Sequence, residues 1–129
     1  MDHEVREQLL ALEPIFHHAA VGAGREVFEA MTSADYWEVG ASGRVYARDF
    51  VIDTLVDRYT SPHEDVWAIN DFEVRQLAER VWLATYELDQ DGQLSRRATV
   101  WRRSESGWIA QYHQGTFRRP AEQQISDVP

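Results

Sequence analysis

The chain has 129 residues, 43% of them hydrophobic and 12% aromatic, which suits one domain with a core large enough to need neither disulfide nor metal. It contains no cysteine, so disulfides, thiolate nucleophiles and cysteine-ligated zinc are excluded, and all 13 basic residues are arginines, which removes lysine Schiff-base chemistry. Against 22 acidic residues they leave a formal net charge of −9, and such a surface disfavours nucleic acid and anionic membranes as main partners.

Val5, Leu9, Leu12 and Phe16 recur at helical spacing, so residues 2–18 are expected to form an amphipathic helix, with Pro14 kinking or restarting it. Residues 25–31 read as a second short helix burying Phe28 and Met31. Residues 32–35 then turn into a strand at 36–39, which Gly40, Ser42 and Gly43 end. A third helix is expected over 49–59, with Ile52, Leu55, Val56 and Tyr59 inward and Asp49, Asp53 and Asp57 forming an exposed acidic face.

From Val66 onward the pattern alternates, and the remainder reads as a meander of strands. Trp67 and Ile69 share one parity and Phe72 and Val74 the other, which points to a bulge near Asn70 and Asp71. Asp91-Gly92 is a strong hairpin signal, and it sets a register opposing Glu87 to Arg96, Tyr86 to Arg97 and Trp82 to Trp101. The looser turn at Ser106-Gly107 allows two registers. The favoured one places Trp108, Ala110, Tyr112 and Gln114 on the face of Trp101, with His113 on the outer face; the other turns Ile109, Gln111 and His113 inward. The domain is expected to span 1–118, with a disordered tail over 119–129. The first residues lack a basic segment followed by an apolar run, and no apolar run approaches bilayer length, so a cytoplasmic location is the expectation.

Three helices followed by a bent, long-stranded meander resemble the nuclear transport factor 2-like superfamily, the ketosteroid isomerase-like cone fold. The stretches Asp35-Tyr36-Trp37-Glu38-Val39-Gly40, Arg97-Ala98-Thr99-Val100-Trp101 and His113-Gln114-Gly115-Thr116 look like its SnoaL-like, domain-of-unknown-function branch. The resemblance implies an α+β cone in which a strongly bent antiparallel sheet wraps the N-terminal helix, with a cavity at the wide end and dimerisation through the sheet. It implies no single activity, because the superfamily holds isomerases, dehydratases, hydrolases and non-catalytic binders.

Glu38, between Trp37 and Val39 in an otherwise apolar stretch, could be a general acid or base with a raised pKa; it could equally be bridged to Arg97 or Arg44. Arg97 is the leading ligand contact, its guanidinium fork suiting carboxylates or enolates. Tyr86, Trp101, Gln114, Tyr112 and Trp82 could line a pocket for a small molecule, or fill the cone as core. His113 could transfer protons, or serve an interface from the outer face. Glu13 and His17 share a helix face and read as a solvated ion pair. His17-His18 offers no third ligand, and neither metal nor cofactor is expected. On the outer face, Leu83, Val100 and Ile109 ringed by Glu87, Arg96, Arg102 and Gln111 suggest a homodimer interface.

Overall fold

A computed structural model describes residues 2–16, 24–60 and 67–119. His17, His18 and the expected tail from Pro120 onward lie outside these residues. Helix α1 (Asp2–Leu12) buries Val5 and Leu9, then tightens into a 3₁₀ turn at Glu13–Phe16. Pro14 supplies the reason, since it has no N–H to bond back to the carbonyl four residues earlier. Helix α2 (Arg25–Met31) buries Phe28 and ends where the Thr32 hydroxyl donates to the Phe28 carbonyl at 2.7 Å.

Strand β1 (Thr32–Val39) begins at Thr32, so the expected turn over 32–35 is already strand, carrying an irregularity between Thr32 and Trp37. The Gly40 amide bonds the Arg44 carbonyl at 2.8 Å, folding the chain back into β2 (Val45–Ala47) and helix α3 (Arg48–Thr60). On α3, Val51, Ile52 and Leu55 are buried while Asp49, Asp53 and Asp57 are exposed, as their helical spacing requires.

Four long strands follow: β3 (Trp67–Ala78), β4 (Val81–Gln90), β5 (Gln93–Ser104) and β6 (Gly107–Phe117), and the sheet order is β2-β1-β6-β5-β4-β3. The sheet is mixed rather than wholly antiparallel, because β1, which precedes the meander, runs parallel to the last strand and covers the edge it would otherwise leave open. The expected bulge is present between Asn70 and Glu73, where Asp71 takes φ 56°. Asp91 and Gly92 both have positive φ, 53° and 86°, the signature of a two-residue type I′ turn. All three expected cross-strand pairs of β4 and β5 form.

The β5–β6 register holds only as far as Ala110. Arg103 opposes Trp108 and Trp101 opposes Ala110, as favoured; the ladder then slips, so that Val100 opposes Tyr112 and Thr99 opposes His113. Gln111 is the extra residue of a bulge, and beyond it every side chain changes face. His113 and Gly115 turn inward and are buried, whereas Tyr112 and Gln114 turn outward, the reverse of the expectation for all three of Tyr112, His113 and Gln114.

Candidate functional site

Three rows cross the inner face of the sheet. In the middle row Glu38 on β1 neighbours His113 on β6, which opposes Thr99 on β5, which opposes Ala84 on β4. On one side lie Trp101 and Trp82; on the other lie Gly115, Arg97 and Tyr86. This row of polar groups sits under the 3₁₀ turn.

The turn lays Glu13 onto the row, and Glu13 is wholly buried. Its Oε1 accepts from the Tyr86 hydroxyl at 2.7 Å and the Thr99 hydroxyl at 3.0 Å, while its Oε2 accepts from Trp101 Nε1 at 2.6 Å. Burial pushes the carboxyl up to about 7; the bonds from Trp101, Tyr86 and Thr99, with the charge of Arg97, pull the other way. The solvated ion pair expected for Glu13 is therefore overturned. Its place was legible, since Val5, Leu9 and Glu13 fall at i, i+4 and i+8 on one helix face.

His113 is buried too, and its Nδ1 lies 2.7 Å from Thr99 Oγ1. Burial and then the Arg97 charge press its pKa down to about 3, so the ring is neutral in ordinary buffers. Trp101 and Tyr86 spend a donor on Glu13 and are fully packed, as is Trp82, which meets Trp108 edge-on at 5.3 Å. These aromatics fill the cone beneath Glu13.

Glu38 is half-buried and accepts a hydrogen bond from the Tyr36 hydroxyl at 2.8 Å. Burial raises its pKa, with Tyr36, Arg97 and Arg58 opposing. Its carboxylate forms no ion pair with Arg97 or Arg44; Tyr36, two residues earlier on the same face, takes that position instead. Arg97 donates from Nε to Ser95 Oγ at 2.9 Å and lies flat over Gly115, where a Cβ would stand 2.6 Å from Arg97 Cζ. Burial lowers the Arg97 pKa, against the fields of Tyr86, Glu38 and Glu13. A Gly115→Ala variant is expected to keep the fold, because only the mobile end of an arginine must shift. Glu38 should then titrate higher as Arg97 withdraws, and carboxyl-carbon NMR titration measures the change; an unmoved Glu38 curve would count against the coupling.

Among the described residues, two of the surface openings involve expected site residues. A cleft of about 350 Å³ is walled by Glu38, Tyr46, Phe50, Val51, Leu55 and Arg58, with the Tyr46 and Phe50 rings stacked at 5.0 Å and 9°. A groove of about 720 Å³ near the β3 bulge includes Arg97, Tyr86 and Gln114 among its lining residues. The groove is larger, but it mixes Arg6 and Arg96 with Asp71, Glu73 and Glu87, and Glu87 is paired to Arg118 at 3.0 Å. The expected residues are thus divided: Glu38 reaches the cleft, Arg97, Tyr86 and Gln114 the groove, Trp82, Trp101 and His113 the interior, and Tyr112 the outer face. Sequence reading missed Glu13 and the cleft residues Tyr46, Phe50 and Arg58. Among the described residues no three His, Cys, Asp or Glu side chains gather as a metal site, and no helix is long and apolar enough to cross a membrane.

A nuclear transport factor 2-like protein of unknown function from Silicibacter pomeroyi superposes with TM-score 0.67 at 21% identity, covering 92% of this chain and 99% of that one. The chain has the nuclear transport factor 2-like fold. An uncharacterised cystatin-like-fold protein from Caulobacter vibrioides gives TM-score 0.70 at 18% identity over 95% of this chain and 92% of its own. A protein from Parabacteroides distasonis, named provisionally as a ketosteroid isomerase, gives 0.66 at 16% over 90% and 89%. At these identities the likeness establishes the nuclear transport factor 2-like architecture alone. No family model and no curated protein matches the sequence.

Proposed function

We propose that this chain is a small-molecule-binding domain whose site is the cleft of about 350 Å³ beside Glu38. The observation that carries the reading is the arrival of a half-buried carboxyl group from the polar interior at the foot of a stacked aromatic wall. Apolar walls with a few convergent polar groups are the usual make-up of a ligand pocket, and the volume falls at the small end of the ordinary range. A flat, mostly apolar molecule fits, offering a hydroxyl or amine to Glu38 and an acceptor to Arg58. In a fragment screen read by NMR, using substituted phenols and anilines, binders are expected to shift Tyr46, Phe50 and Glu38 together. Tyr46→Ala should weaken them about tenfold or more, given the stacking surface removed. Binders that shift only the larger groove, or none at all, would exclude the cleft.

A second reading is favoured by one feature, the upward-shifted Glu38 carboxyl held by Tyr36. A group so placed suits proton transfer in an isomerase, dehydratase or hydrolase. Retained turnover in Glu38→Gln, measured on a substrate grown from the fragment binders, would exclude it.

A second copy of the chain is the proposed partner. Leu83, Val100, Tyr112 and Trp37 form one row across the outer face of four strands, with Trp37 45% exposed and 4.4 Å from Tyr112. An apolar row of this kind suits a two-fold contact. Val100→Arg is expected to convert dimer to monomer in sizing with light scattering at micromolar concentration; a monomeric wild type would exclude the dimer.

A further inference from the structure

We propose that Glu13, Thr99 and His113 form a proton relay beneath the sheet's inner face, in which ionisation of the carboxyl group and the tautomer of the imidazole change together. The relay does not depend on the cleft's binding a ligand. It rests on the proton count of one hydroxyl group. Thr99 Oγ1 lies 3.0 Å from Glu13 Oε1 and 2.7 Å from His113 Nδ1, and a hydroxyl has only one proton to give.

An ionised Glu13 can only accept. Thr99 then donates to it and accepts from His113, which must carry its proton on Nδ1. A protonated Glu13 reverses both bonds: its O–H donates to Thr99, Thr99 donates to Nδ1, and the imidazole proton resides on Nε2. The two states differ by one proton. In passing from the first to the second, one proton is taken up from bulk water and bonds to the buried Nε2, the Nδ1 proton moves to Thr99 Oγ1, and the Thr99 proton moves to Glu13 Oε1.

The surroundings suit both end states. Tyr86 on β4 and Trp101 on β5 supply donors to Glu13, with Trp101 engaging Oε2, so a carboxyl proton is best placed on Oε1 beside Thr99. Arg97 on β5 places a positive charge near both ends, and among the described residues Tyr36 and Glu38 on β1 are further titratable neighbours. Burial keeps His113 neutral, so its tautomer rather than its charge responds. Glu38 is the register neighbour of His113, which brings the imidazole end of the relay next to the strand that walls the cleft.

Long-range ¹⁵N–¹H NMR of the full chain reads the protonated ring nitrogen directly. The wild type is expected to show a neutral His113 protonated on Nε2 at about pH 5 and on Nδ1 at about pH 9. Glu13→Gln should hold the Nε2–H form throughout, because its amide N–H₂ faces the two hydroxyls as the protonated acid does. Thr99→Val should abolish the switch while the Glu13 carboxyl carbon still titrates, and Thr99→Ser, which retains the hydroxyl should Val fail to fold, should restore it. One tautomer at both pH values in the wild type would overturn the relay, as would a switch that survives Thr99→Val or is lost in Thr99→Ser.

Discussion

Glu13→Gln should expose a steep rise of stability with pH that the wild type conceals. In the folded protein Glu13 titrates at about 7 against an ordinary value of 4.5, and His113 at about 3 against 6.5. A carboxyl raised by folding binds its proton more tightly in the native state, so its contribution is complete below 4.5 and is lost as pH rises through about 7. A histidine depressed by folding does the opposite: its contribution is complete above 6.5 and is lost as pH falls towards about 3. Between 4.5 and 6.5 the native state holds one extra proton on Glu13 and the unfolded state one on His113, so the two slopes cancel. Removing Glu13 leaves the histidine slope, about 1.4 kcal/mol per pH unit across that window. His113→Asn, whose amide can still donate to Thr99, leaves the carboxyl slope, a fall of roughly 3 kcal/mol from pH 4.5 to about 7. Urea unfolding at several pH values, compared between each variant and the wild type, removes the background from other groups. Variant and wild-type curves running parallel would refute the assignment.

The opposing slopes reside in two residues that sequence reading placed outside, and the physical reasons differ. His113 was misplaced by a single inserted residue. Asp91-Gly92 announces its turn chemistry and so sets the β4–β5 register, whereas the bulge at Gln111 lies in Gln-Tyr-His, where no glycine, proline or change of polarity marks it. The bulge at Asn70 was visible because apolar residues on both sides change parity. Glu13 was legible by position, one helical step beyond Val5 and Leu9, yet its charge argues for solvent unless the three donors that await it are known. Those donors arrive from strands 73 to 88 residues further along the chain, and no local pattern foretells them. The cone itself was readable because three helical periods followed by alternation constrain it repeatedly. The pairing of β1 with β6 was not, since a parallel contact between the first strand and the last leaves no turn between them.

Trp101→Phe should destabilise the protein more at pH 8 than at pH 5, which distinguishes a lost hydrogen bond from lost packing. Trp101 is wholly buried, and its smaller replacement leaves a void whose cost does not depend on pH, about 1–3 kcal/mol. The indole N–H is a separate matter. It donates to Glu13 Oε2 at 2.6 Å and is the largest of the influences opposing burial of that charge. Without it the carboxyl should titrate above its present value of about 7, so stability is lost over a wider span as pH rises. The excess at pH 8 should be about 1–3 kcal/mol, the cost of leaving a buried acceptor without its donor. Tyr86→Phe provides the control, for it removes a donor to Oε1 at 2.7 Å with almost no change of volume. It should show the pH-dependent loss with little of the constant one. Equal losses at the two pH values in both variants would mean that Glu13 stays protonated across the range, and that Tyr86 and Trp101 hold a neutral acid rather than a titrating one.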